Sequence, residues 1–554
     1  MVSRFLRNIA TPIRGLHQAA YWLAVFTLGA QVLALIRDRT FAHIFGASTS
    51  LDVYYAAFKI PDLIFTLVAS LVSAYVLIPR IAAASHDEAR TLISNAISFL
   101  LFVGGGIALI VAFVAPHILF LFFPRFVASP HAGDFIALVR LLLLQPLLLG
   151  FTGVLASVTQ VHRRFIIYSL SPILYNLGII FGALVLYPYF GLKGIGYGVI
   201  AGSVGYLLVH IPVVWRAKLL PRLTWPSWRV MGPVMHDSVP RTLALGVGSA
   251  VVFAITVLAA RAGTGVISIF TFATNLEAVP LALIGSSYAV AAFPVLSELS
   301  GKEKREEFTR VLGAAGRHLV LWSLIIFSLV VVLRAHLVRV ILGTGHFNWD
   351  DTRLTAAALA ILVVGLAAQG LTLLLMRALY AARQSWRPFF YQLAGGFVSV
   401  GVAAGGLYYL HRASDVLFML GNIFRVGDVP GKIVLLFALA VVLGQLVTVA
   451  FLMGAMRRAA PGFNRALLRP AGEGIVAATG AGAATYMTLA ALGNIAPLST
   501  LPSVFAQGLI AGIVGLIVAG STLALLKNRE FRAMRLAAHR FIKKRRALPT
   551  FDAS

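Results

Sequence analysis

The chain has 554 residues, 59% of them hydrophobic and 12% charged, with a mean hydropathy of +0.90 and a formal charge of +27. A soluble domain carries about 25% charged residues, so a soluble globular fold of this size is excluded. The absence of cysteine removes disulfides, thiol nucleophiles and cysteine-ligated metal sites.

The first residues, "MVSRFLRNIATPIRG", are basic and precede an apolar run with no small-residue cleavage site. They predict an uncleaved first helix rather than a signal peptide. A bilayer core about 30 Å thick needs about 20 residues at 1.5 Å per residue. Apolar runs of that length predict about fourteen spans. In chain order they are 17–36, 53–78, 92–115, 135–158, 166–187, 194–214, 239–260, 266–294, 318–338, 355–380, 389–409, 433–455, 473–493 and 503–526. The fold class is an all-α polytopic membrane protein.

Lysine and arginine orient these spans. Segments 1–16, 79–90, 161–165, 215–236, 301–317, 381–388, 456–471 and the tail from 527 hold about two thirds of the 46 Lys and Arg. All eight lie on one side if every predicted span crosses. That bias predicts both termini in the cytoplasm, and it assigns the net charge to topology rather than to nucleic acid. The tail "KNREFRAMRLAAHRFIKKRR" predicts a solvated basic anchor or an amphipathic helix on anionic headgroups.

Two long Pro- and Arg-rich connections, 215–236 and 456–471, divide the chain. They predict an N-terminal lobe at 1–230 (six helices), a C-terminal lobe at 231–460 (six helices), a final helix pair at 461–526 and a basic tail at 527–554. A 6+6 layout is common in transporters. The loop 411–431 predicts a short interfacial helix, and 301–317 a charged helix at the cytoplasmic surface. Glycines in "VGGGIA" and "ATGAGAAT" read as close-packing positions.

The stretch "LDVYYAAFKIPDLIF" places Asp52, Lys59 and Asp62 inside the second span. At about 100° per residue they share one face, and Lys59 and Asp62 are spaced to pair at i,i+3. Pro61 weakens the helix between them. Intramembrane ionisable groups are functional candidates; the alternative is a buried ion pair that ties this helix to a neighbour. Arg37, Asp38 and Arg39 sit at the outer end of the first span, where Arg39 reads as snorkelling. Asn275 and Glu277 lie about a third of the way across the eighth, beside Pro280. Arg241 and Arg377 read as interfacial anchors, and Arg140 fits either an anchor or a cavity residue. No His pair has zinc spacing, and no G-x-S-x-G or phosphate-binding glycine loop occurs. No enzyme, cofactor or metal site is predicted.

The segment "IRDRTFAHIFGASTSLDVYYAAFKIPDLI" resembles the MurJ/MviN lipid II flippase family of the MOP exporter superfamily. "FTFATNLEAVPLALIGSSYAVAAFPVLSELS" is similar to that family's eighth helix. The resemblance implies a bacterial plasma-membrane protein with two six-helix lobes in a V around a cationic cavity, and a lipid-tail groove on the last two helices. It implies an undecaprenyl-pyrophosphate-linked cell-wall precursor as cargo, with membrane lipids and cell-wall synthesis proteins as partners. Arg37 and Lys59 would face the pyrophosphate, and Asp38 and Asp52 would orient them or gate. Asp62, Asn275 and Glu277 complete the candidate substrate-binding set. The chain departs from the family pattern at Gln31, Phe65, Thr66, Ser70 and Asn275, where the family carries charged residues. The predicted helices 7, 10 and 11 have no Asp or Glu to match the sodium-site acids of some members. The departures leave two alternatives: an exporter of another lipid-linked saccharide or small molecule, and a transport-inactive scaffold.

Overall fold

The computed structural model describes residues 16–299, 304–382, 384–495 and 500–536. Among them every regular element is helical, because a lipid-embedded backbone must satisfy its own N–H and C=O groups. Thirteen helices among the described residues are long and apolar enough to cross a membrane. They coincide with predicted spans two to fourteen, and the predicted span 17–36 falls on α1 (Leu16–Phe45). The predicted basic stretches at 1–15 and 537–554 lie outside the described residues.

The second span is a broken helix. It runs as α2 (Thr49–Ala57), α3 (Lys59–Val68), a 3-10 turn Ala69–Val72, and α4 (Ala74–Ala83). Ser48 caps α2 by accepting from the Leu51 N–H at 3.4 Å. Pro61 cannot donate to the Ala57 carbonyl, but it stands in the first turn of α3, where the missing N–H is tolerated. The first break, at Phe58, follows from that. The second comes at Ser73, whose ψ of 156° is extended.

The chain forms two compact units. The first comprises Met1–Phe272, Ile341–Thr355 and Ser385–Ala440; the second comprises Ala273–Val340, Ala356–Gln384 and Val441–Ser554.

In the first unit, α5 (Phe165–Phe181) packs closely on α6 (Leu192–Leu208). A Cβ on Gly198 would fall 2.5 Å from the Gly182 Cα, so small residues allow this approach. The "VGGGIA" expectation fails in part: Gly105 and Gly106 face open space, and the turn before them is π-helical, Leu100–Gly104. The first unit also holds α7 (Trp228–Ala262) and the start of α8 (Val266–Pro280), up to Phe272.

The second unit contains most of α9 (Arg305–Leu342) and all of α10 (Leu366–Ala381). The charged helix expected at 301–317 is helical from Arg305 and runs on without a break as α9. No proline interrupts it before Leu342. In the first unit again, the interfacial helix expected within 411–431 is α11 (Leu410–Phe424). In the second, α12 (Phe463–Ile495) and α13 (Leu501–Leu525) pair along their length. Their core against α9 is Leu321, Ile325, Leu329, Ala477, Ala481, Ala519 and Leu523. The start of the tail is tied to this core. Glu530 accepts from Arg317 Nε at 2.6 Å, Asn528 donates to Glu473, and residues 529–536 are helical.

Candidate functional site

The three charges of the second span do different things. Asp52 is 0% exposed. Its Oδ2 accepts from the Gly265 N–H at 2.6 Å. Its Oδ1 accepts from the Ser268 N–H at 2.8 Å and from Ser268 Oγ at 2.6 Å. Those N–H groups open α8, a helix with no acidic residue in its first turn. Asp52 therefore caps another helix, and a carboxylate there suits both the orphan donors and the helix dipole. The sequence signal was present: "RAGTGVIS" starts a helix without supplying its own acid.

Lys59 and Asp62 are half-buried on α3. The expected Lys59–Asp62 ion pair does not form, and among the described residues neither side chain makes a hydrogen bond or an ion pair. Helical side chains lean toward the N-terminus, so a base three residues before an acid points away from it. Thr66 Oγ1 bonds the Asp62 backbone carbonyl at 2.9 Å, leaving the carboxylate untouched.

Arg37 and Asp38 are held together on α1. Arg37 donates to Asp38 Oδ1 from Nε at 3.0 Å and from Nη2 at 2.8 Å, and from Nη1 to Asn176 Oδ1 on α5 at 3.2 Å. Asn176 escaped the sequence reading; it is a lone amide in the apolar run of α5. Tyr54 and Tyr175 lie within electrostatic reach of both Arg37 and Asp62, and Gln145 donates to the Tyr175 hydroxyl at 3.0 Å. One polar region of the first unit thus joins Arg37, Asp38, Tyr54, Asp62 and Tyr175. Arg39 does not simply snorkel: its Nη1 donates to the Ile341 carbonyl at 3.2 Å, at the C-terminal end of α9, where a cation suits the dipole.

The positions beyond Asp62 are neutral and self-satisfied. Thr66 Oγ1 bonds Ser249 Oγ at 2.9 Å, and Ser70 Oγ donates to Thr242 Oγ1 at 2.9 Å. Both partners lie on α7, so two hydroxyl pairs stitch the second span to the seventh. In the second unit, Glu277 is buried and accepts from Gln369 Nε2 on α10 at 2.5 Å. Asn275 is half-buried. Among the described residues no group of three or more His, Cys, Asp or Glu could hold a metal ion.

A sequence profile described as lipid II flippase MurJ matches residues 41–505. The chain belongs to the MurJ family. Within it, the chain is 23% identical over 385 residues to the lipid II flippase MurJ of Burkholderia cenocepacia, covering 67% of this chain and 75% of that protein. Its fold is similar to that of a lipid II flippase MurJ in an inward closed conformation, with a TM-score of 0.68 at 17% identity. That match covers 91% of this chain and 99% of the other. It is also similar to a multidrug resistance MATE transporter of the MOP superfamily, with a TM-score of 0.62 at 16% identity over 79% of this chain and 96% of the other. The chain is therefore a multi-pass membrane protein with the MOP transporter fold. In this MurJ-family member, Thr66 and Ser70 bring hydroxyls rather than charges to the positions beyond Asp62.

Proposed function

We propose that this chain carries lipid II, an undecaprenyl-pyrophosphate-linked precursor, from the cytoplasmic to the outer leaflet by alternating access. Membership of the MurJ family supports the cargo class. The observation that carries the site is the unpartnered Lys59–Asp62 step at a helix break, in the region that holds the Arg37–Asp38 fork. A discontinuous helix with free polar groups is a usual place for a transporter to hold its substrate. Lys59 would meet the pyrophosphate, Arg37 would add a second cation, and Asp38 and Asp62 would restrain both. Asp52 would act indirectly, by fixing the start of α8. Glu277 and Asn275 would contribute polar groups from the C-terminal lobe.

The lysine and arginine bias supports cytoplasmic termini, with lobes at 1–230 and 231–460 and a helix pair at 461–526 bearing the lipid tail. The exposed apolar side chains of that pair, among them Ile475, Tyr486, Met487, Ile513 and Ile517, suit a prenyl chain. The membrane potential would bias states that differ in charge position by about 2.3 kcal/mol per charge per 100 mV. The hydroxyl pairs at Thr66 and Ser70 favour a second reading, in which the cargo is another lipid-linked saccharide with fewer charges to match.

The test is rescue of a bacterium depleted of its own lipid II flippase. The parent chain should restore growth, and Lys59→Ala should not, with both present in the membrane at equal abundance. Rescue by Lys59→Ala would overturn the site. Failure of the parent chain, together with no lipid II binding by the purified protein, would overturn the cargo in favour of the second reading.

A further inference from the structure

The connection between the spans Trp386–Tyr408 and Val434–Ala459 contains α11 and a cleft that the transport reading does not use. At 15 residues, α11 is about 22 Å long and too short to cross a core of about 30 Å. It follows one span and precedes the next, so it lies at the membrane surface where both end. One side is seated on protein, with Leu417 and Leu420 at 5% and 8% exposure. The other presents Phe418, Met419 and Ile423 at 66%, 55% and 59%, beside Tyr408 and Tyr409. Apolar and aromatic side chains left this open on a membrane protein suit the bilayer interface.

At its C-terminal end this helix meets a cleft of about 410 Å³ lined by Arg353, Phe418, Asn422, Arg425 and Asp428, with Gly421 and Gly427. Arg353 is neutralised. It forks onto Asp428, with Nη1–Oδ2 at 2.9 Å and Nη2–Oδ1 at 2.7 Å, and it also reaches the Arg425 carbonyl. The Arg425 guanidinium has no hydrogen-bond or ion-pair partner among the described residues. Its backbone is left-handed, φ 56° and ψ 44°. It occupies the position after a helix where glycine is preferred, with Val426 N–H donating to the Gly421 carbonyl and Arg425 N–H to the Asn422 carbonyl. The cleft thus has one uncompensated cation and one amide at its polar end, and an exposed phenylalanine at the other.

We propose that α11 lies in the membrane interface and that this cleft seats the headgroup phosphate of a bilayer phospholipid. Arg425 and Asn422 would bind the phosphate, and Phe418, Met419 and Ile423 would lie along its acyl chains. Charge complementarity favours a phosphodiester over a cation, and the apolar flank favours a lipid over a free ion. On the orientation proposed above, this is the outer leaflet, but the site itself does not depend on the cargo.

The test uses the full chain in nanodiscs of phosphatidylethanolamine and phosphatidylglycerol. Phe418→Trp fluorescence should be quenched by lipids brominated on the chain; an unquenched, water-exposed signal would overturn the interfacial position. Arg425→Gly removes the guanidinium while supplying the residue its φ prefers, so the fold should hold. Native mass spectrometry should then show phospholipid retention about tenfold weaker, the loss expected for one charge-assisted contact worth about 1.4 kcal/mol. Unchanged retention in Arg425→Gly, or displacement of the lipid by inorganic phosphate alone, would overturn the headgroup site.

Discussion

Replacing Asp52 separates a structural role from a transport one. Asp52→Ala leaves the Gly265 and Ser268 N–H groups without an acceptor at a fully buried position. The Ser268 hydroxyl can turn elsewhere, but the two amides cannot. An orphaned buried donor costs about 1–3 kcal/mol, so the variant should lose about 4 kcal/mol. Asp52→Asn keeps one acceptor for Ser268 but turns an amide NH2 toward the Gly265 N–H, and should lose about 2 kcal/mol. Ser268→Ala removes one charge-assisted bond, at about 1.5–3 kcal/mol. Because the residues share one cluster, the double variant Asp52→Ala/Ser268→Ala should cost clearly less than the sum. Denaturant unfolding of the purified protein in detergent, followed by circular dichroism, measures all four. Asp52→Ala as stable as the parent, yet unable to translocate when equally abundant, would refute the capping role and return Asp52 to the substrate.

Lys59→Met orphans no hydrogen bond and removes only the charge within electrostatic reach of Asp62, so it should change unfolding stability by less than about 1 kcal/mol while abolishing translocation; a larger stability loss in the same assay would show a structural contact. Gly265→Ala should destabilise by about 2 kcal/mol or more, because φ is +78° and the new Cβ would come 2.6 Å from the Ala47 carbonyl oxygen; thermal unfolding reads this directly. Glu277→Gln should be tolerated better than Gln369→Leu, because the latter leaves a buried carboxyl without its donor, and the order of their melting temperatures decides it. Asp428 lies in a loop, where its hydrogen bond from Arg353 holds its carboxyl below the usual aspartate value of 3.8. A depressed folded-state value means the contact stabilises above the ordinary carboxylate range and is lost as the pH falls below about 4. Arg353→Ala should return the Asp428 titration to the ordinary range in a carboxylate-resolved NMR or infrared measurement.

Much of the architecture was legible without coordinates. Spans two to fourteen were readable because a membrane crossing needs a long apolar run, and that is a property of local sequence. Pro61 announced the break at Phe58 for the same reason: a missing N–H acts on its own helix. The short helix after Tyr409 was readable as an apolar stretch too short to span. Local rules failed where a partner lay far along the chain. Helical spacing put Asp52, Lys59 and Asp62 on one face, but it could not show that Asp52 is taken by a helix start more than 200 residues later, while Lys59 and Asp62 remain unclaimed. Nor could it show that Thr66 and Ser70 find hydroxyls on α7, or that Arg37 finds Asn176.

The sequence alone determined that this is a helical membrane protein of the MurJ type, since hydropathy and a dense motif are carried by neighbouring residues. Only the tertiary structure decided which of its intramembrane charges are bound and which are free. A side chain's charge is set by its own chemistry, but its availability is set by the donors and acceptors that folding brings to it.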